Sequence, residues 1–66
     1  MAARISVGEI GRLKRKLADY LQRQKEVELR ARSASSVDDR AALLQIAETW
    51  RTLASETTKL IADLQH

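Results

Sequence analysis

Few residues of this chain have the chemistry that catalysis or metal binding needs. Cysteine is absent, which excludes disulfides, thiolate metal sites and cysteine nucleophiles. The single histidine, His66, has no second histidine and no Glu-x-x-His pair with which to build a metal site. The carboxylates of the second half fall beside the apolar positions, as helix caps and solvated groups do; they are Asp38, Asp39, Glu48, Glu56 and Asp63. We therefore expect no enzyme activity, metal, cofactor or small-molecule substrate.

Basic residues form the one candidate binding patch, and they concentrate in the first half of the chain. Residues 1–33 carry nine Lys/Arg and four Asp/Glu, whereas residues 34–66 carry three and five. This imbalance fits pairing between a basic and an acidic helix, or a basic face that tracks nucleic-acid phosphates. The residues expected to contact nucleic acid in that alternative are Arg12, Arg15, Lys16 and Arg23.

Acidic residues interrupt the basic patch, which favours a solvated charged face over a nucleic-acid site. Asp19 precedes Arg23 by four residues, and Glu26 and Glu28 precede Arg30 and Arg32 by the same spacing. Such pairs stabilise a helix surface and repel phosphates.

Two stripes of apolar residues predict the helices that carry these side chains. The spacing within each stripe alternates between three and four residues. The first stripe consists of Ile10, Leu13, Leu17, Tyr20, Gln24, Val27, Ala31 and Ala34. The second consists of Leu43, Ile46, Trp50, Leu53, Thr57, Leu60 and Leu64. This spacing is that of a coiled-coil seam, so each stripe is expected to face another helix. The only two aromatic residues, Tyr20 and Trp50, lie on the stripes and are expected to anchor a packed interface rather than stack on bases.

Helix boundaries can be predicted from capping residues and from the loss of register between the stripes. Ser6-Val7-Gly8-Glu9 has the pattern of a capping box, with Ile5 and Ile10 at the flanking staple positions. Continuing the first rhythm past Ala34 would place mostly polar residues on the seam, and the break coincides with a serine-rich segment. Ser36 followed by Asp38 and Asp39 offers a second N-cap.

These signals predict an all-α fold, an antiparallel two-helix hairpin with coiled-coil-like packing. We expect helix 1 at about 7–33, the turn at about 34–36 and helix 2 at about 37–64, within a single domain. Tyr20 should then lie level with Trp50, and Lys16 level with Glu56. Gln24 and Thr57, the polar seam positions, are expected either to fix register or oligomer state, or to sit near the rim or bond within their own helices.

Additional apolar residues widen both stripes beyond what one hairpin needs. Leu21 does so in helix 1, and Ala47, Ala54 and Ile61 do so in helix 2. Wide stripes are typical of bundles, so two hairpins are expected to pair into a four-helix bundle as a homodimer, or to pack on a helical partner protein. The expected interface consists of Leu13, Leu17, Tyr20, Leu21, Gln24, Val27, Leu43, Ile46, Trp50, Leu53, Thr57, Leu60, Ile61 and Leu64.

Residues 38–54 resemble a segment of small helical-hairpin proteins of alphaproteobacteria. There an acidic cap precedes the pattern Arg-x-x-Leu-Leu-x-hydrophobic-Ala-x-x-Trp/Tyr-x-x-Leu-Ala, which begins here at Arg40 and ends at Ala54. The resemblance implies a bacterial, cytoplasmic hairpin and no catalytic residue. The architecture is also similar in shape to the Rop-type hairpin, which dimerises into a bundle and binds RNA, although shape does not transfer function.

No stretch is long and apolar enough for a transmembrane helix, so we expect no membrane association. The sequence thus predicts a non-enzymatic module for protein–protein interaction. The alternative is a small bundle that binds RNA or DNA through the basic flank of helix 1.

Overall fold

Two long helices account for nearly all of residues 7–65, the part of the chain that the computed structural model describes. Helix α1 spans Val7–Ser33, helix α2 spans Val37–Leu64, and no strand occurs within the described residues. The helices pack against each other along their length, so the predicted all-α hairpin is confirmed. The expected capping box and staple include Ser6 and Ile5, which lie outside the described residues, as does His66.

Side chains at the start of α2 stabilise the turn at residues 34–36 through hydrogen bonds. Ser36 has an extended backbone, and its hydroxyl accepts a hydrogen bond from the Asp39 amide at 3.0 Å, which confirms the predicted second N-cap. Arg40 Nε donates to the carbonyl of Ala31 at 3.3 Å, and the amide of Ala34 donates to the same oxygen. A cation on the last carbonyls of α1 also complements the helix dipole there. The chain can therefore reverse without glycine or proline.

The two helices run antiparallel, and residues at the same level can be identified from two contacts. The rings of Tyr20 and Trp50 stack with their centroids 5.9 Å apart, near the middle of both helices. The Ala31–Arg40 hydrogen bond closes the turn end. Residue numbers at one level therefore add up to about 70.

The interior of the hairpin is small, and its most buried residues are mostly alanines. Ala31, Ala47, Ala54 and Ile61 are the buried apolar residues of the described chain. The first stripe is partly buried or buried at every position from Ile10 to Ala34, as predicted. No helix within residues 7–65 is long and apolar enough to cross a membrane.

Candidate protein interface

Helix α2 carries two apolar rows on neighbouring lines of its surface. The alanine row consists of Ala47, Ala54 and Ile61, and it is buried against α1. The outer row consists of Ile46, Leu53 and Leu60; Leu53 is partly buried, while Ile46 and Leu60 remain 47% and 46% exposed. Since one residue turns a helix by about 100°, the outer row points to one side of the hairpin instead of into it.

The seam of α2 against α1 therefore differs from the second stripe. Leu43, Trp50, Thr57 and Leu64 belong to the stripe and are partly buried. At the positions between these four, the stripe predicts that Ile46, Leu53 and Leu60 contact α1. The structure instead buries the next residue each time, namely Ala47, Ala54 and Ile61. Alanine lets two helix axes approach closely, because the distance between packed helices depends on the side chains at the contact.

The predicted interface residues of α1 also fall into two groups, one on the seam with α2 and one exposed. Leu13, Leu17, Tyr20, Gln24 and Val27 are partly buried along the seam with α2. Leu21 is 50% exposed on the flank of the helix, where one hairpin leaves it largely uncovered.

Trp50 sits at the centre of an aromatic and cationic cluster. Its ring stacks on Tyr20 at an interplanar angle of 29°, and the guanidinium carbon of Arg23 lies 5.3 Å from the ring centroid. This geometry allows a cation–π contact. The two aromatic side chains thus pair with each other across the hairpin, and the Arg23 edge of α1 lies beside Trp50.

The hairpin has two broad faces, which we name after residues of α2. On the Trp50 face, Trp50 lines a depression with Arg23, Glu26, Val27 and Arg30 of α1. The outer row of α2 points toward this face. On the opposite Leu44 face, Leu44, Glu48 and Arg51 line an open depression with Gln24 and Glu28. The Trp50 face thus combines a basic edge of α1 with an apolar row of α2.

The basic edge of α1 follows heptad spacing and is only partly neutralised within the hairpin. Lys16, Arg23 and Arg30 are seven residues apart, so they lie along one line of the helix, and Arg12 lies one turn before Lys16. Arg23 Nε donates to Asp19 Oδ2 at 2.9 Å, as predicted from their spacing. This hydrogen bond, together with the charge of Asp19, raises the pKa of Arg23.

Other expected charge pairs are not formed within the described residues. The ion pairs seen among these residues are Asp19–Arg23 and Glu48–Arg51. Three expected pairs are beyond ion-pair distance: Glu26–Arg30, Glu28–Arg32 and Lys16–Glu56. Glu28 Oε2 instead accepts a hydrogen bond from the side-chain Nε2 of Gln24 at 3.4 Å. The register of the hairpin is therefore set by apolar packing and the turn, without an ion pair between the helices.

The polar seam residues bond within their own helices. Thr57 Oγ1 donates to the carbonyl of Leu53 at 2.8 Å, and Gln24 bonds the side chain of Glu28 in the next turn. Of the two roles that the sequence leaves open, the structure shows bonding within each helix.

Within residues 7–65, the surface offers no constellation for metal binding. No three His, Cys, Asp or Glu side chains there come together to hold an ion. A depression at the turn end is open to solvent, and it is lined by Glu28, Ala31, Arg32, Arg40 and Leu44.

Comparison of the chain with models of protein families, with curated proteins and with solved structures finds no match. The resemblance of residues 38–54 to alphaproteobacterial hairpin proteins therefore stays a prediction.

Proposed function

We propose that this protein is a non-enzymatic module for protein–protein interaction, and that it acts as a homodimer of hairpins. The observation that supports this most strongly is the outer row of α2. Its side chains are larger than Ala47 and Ala54 of the buried row, yet Ile46 and Leu60 remain about half exposed. A single hairpin leaves these two side chains about half uncovered, and exposed apolar surface of this kind is what an interaction site offers.

The size of the chain favours the same conclusion. A 66-residue chain without disulfides has few means of stabilisation beyond helix packing and oligomerisation. Here the most buried positions of the seam are mostly alanines, which remove little apolar area from water. Covering the outer row with a second hairpin would also bury Ile46, Leu53 and Leu60. Pairing of this kind is the usual route to a helical bundle.

Two variants of α2 test the proposal at one level of the helix. Leu60→Glu places a charge on the outer row, whereas Ala62→Glu places the same charge about half a turn away, on the exposed side toward the Leu44 face. Size-exclusion chromatography with light scattering should give twice the chain mass of 7.4 kDa for the native protein and for Ala62→Glu. We expect Leu60→Glu to be monomeric and still helical by circular dichroism.

A native protein that stays at 7.4 kDa at high concentration would contradict the homodimer. Dissociation by Ala62→Glu, with Leu60→Glu unaffected, would place the contact on the Leu44 face instead.

A further inference from the structure

We infer that the Leu44 face is a docking surface for an acidic amphipathic helix of a partner protein, seated along the seam between α1 and α2. This goes beyond the proposed homodimer, whose contact lies on the Trp50 face, and does not depend on it. Three features of the Leu44 face carry the inference: a concave line along the seam, exposed apolar side chains and an excess of cations.

Two depressions follow the seam on the Leu44 face, one beside the other. The first lies at the turn end and includes Arg32 and Arg40 in its lining, and the second reaches Arg51. Glu28 and Leu44 line both depressions, so together they form one line along the hairpin. A concave line between two helices accepts a third helix, as in proteins that bind an amphipathic helix in a groove.

Apolar side chains remain exposed beside this line. Leu44 and Val37 are seven residues apart on one line of α2, and they are 49% and 82% exposed. Leu21 of α1 is 50% exposed and lies seven residues before Glu28, which places it on the same face. Their levels along the hairpin span about 18 Å, the length of about 12 residues of helix. An amphipathic helix of about four turns would therefore cover all three.

Basic residues outnumber acidic residues on this face. They either line the depressions or precede Arg32 or Leu21 by seven residues, and they are Lys14, Lys25, Arg32, Arg40 and Arg51. The carboxylates that line the two depressions are those of Glu28 and Glu48. Glu28 bonds Gln24 instead of pairing with Arg32, and Glu48 lies 3.5 Å from Arg51. Lys25, Arg32 and Arg40 thus form no ion pair within residues 7–65, and carboxylates on a partner would supply the counterions that they lack.

The same face is better suited to an acidic helix than to a nucleic acid. Half-exposed leucines match the apolar side of an amphipathic helix, whereas they add little to the binding of phosphates. The chain has two aromatic residues, Tyr20 and Trp50, which stack on each other, and Trp50 lines the depression of the opposite face. The Leu44 face therefore offers no aromatic platform on which bases could stack.

Fluorescence anisotropy with a labelled synthetic helix of about 15 residues tests the inference. The acidic probe has leucines at helical spacing and glutamates at the flanking positions. A second probe has lysines in place of the glutamates, and a third has serines in place of the leucines. We expect saturable binding in the micromolar range for the acidic leucine probe alone, weakened by added salt.

Two pairs of variants locate the site. Leu44→Ser should weaken binding of the acidic probe about three- to tenfold, because the partner can no longer cover the exposed half of a leucine. Leu29→Ser removes a leucine that is also 50% exposed, on the side of α1 away from α2, and should change binding less than about twofold. Arg32→Glu should weaken binding about three- to tenfold, whereas Arg15→Glu makes the same change on the outer side of α1 and should not. All four residues are exposed, so the variants should keep the native circular dichroism.

The outcomes separate this inference from the homodimer, whose mass light scattering reports independently. Equal binding of the three probes, or no saturation below about 1 mM acidic probe, overturns the inference. Loss of binding in Ile46→Ser, with Leu44→Ser unaffected, would seat the probe on the outer row and would also overturn it. Binding of single-stranded RNA that Arg32→Glu abolishes, without binding of the acidic probe, would assign the face to a phosphate polymer and overturn the inference as well. A monomeric protein that binds the acidic probe as expected would contradict the homodimer and support the inference.

Discussion

Enlarging one alanine of the seam tests whether α1 lies on the alanine row. Ala54 is 4% exposed and lies near the level of Leu17, so a leucine there has no solvent to enter without moving α1. We expect Ala54→Leu to push the two helices apart and to lower the free energy of unfolding. The same change at Ala41, which is exposed on α2, should leave the seam untouched.

The magnitude follows from two opposing terms. Burying the three added carbons in free space would stabilise the hairpin by up to about 2.4 kcal/mol, at roughly 0.8 kcal/mol for each carbon. Overpacking a filled contact outweighs that gain and destabilises typical cores by about 1–3 kcal/mol. Because Ala54 is nearly inaccessible, the second term should dominate. Ala41→Leu should change stability by less than about 0.5 kcal/mol, as exposed substitutions do.

Urea unfolding followed by circular dichroism, at one protein concentration for all variants, measures these differences. Equal stability of Ala54→Leu and Ala41→Leu would mean that the alanine row has room for a leucine. A stabilised Ala54→Leu would refute close approach of the helices at this row.

Three further predictions follow from the same structure. Trp50→Ala should lower the free energy of unfolding by about 2–3 kcal/mol, less than the 3–5 kcal/mol of a fully buried aromatic residue, because Trp50 is only partly buried beside Tyr20; an unchanged urea midpoint would contradict the aromatic anchor. Ser36→Ala should destabilise the hairpin by about 1 kcal/mol through loss of the N-cap bond to Asp39, whereas the exposed neighbour Ser35→Ala should be nearly neutral; equal effects would show that the cap is unimportant. The native protein should bind mixed RNA and duplex DNA only weakly near physiological salt, since Asp19 and Glu26 interrupt the basic edge. This weak binding should not change when four basic residues are neutralised together: Arg12, Arg15, Lys16 and Arg23. Micromolar binding in a fluorescence titration, lost in the quadruple variant, would favour the nucleic-acid alternative.

The fold could be predicted from the sequence because its main signals are local. The first stripe holds its rhythm from Ile10 to Ala34, and the structure buries or partly buries each of these positions. The break is also local, since Ser36 caps α2 through the amide of Asp39. Arg40, which closes the turn onto Ala31, was not anticipated, because nothing in the spacing of an arginine near a helix start indicates which carbonyl it will reach.

The choice between the two rows of α2 could not be predicted in the same way. Leu43, Trp50, Thr57 and Leu64 are common to both rhythms, so periodicity fits the alanine row and the outer row equally well. Hydrophobicity then favours the larger side chains of the outer row, whereas close packing against α1 favours the smaller ones. Which effect prevails depends on the side chains that α1 presents, and that is tertiary information.

The central claim is that α1 covers the alanine row and a second hairpin covers the outer row. Thiol reactivity of adjacent residues tests it most directly, because the native chain has no cysteine. In Ala47→Cys the thiol should react slowly at every protein concentration, since Ala47 is 5% exposed within one hairpin. In Ile46→Cys the thiol should be protected at high concentration and become reactive on dilution, as the two hairpins separate. An Ile46→Cys thiol that reacts equally fast at all concentrations would contradict the account.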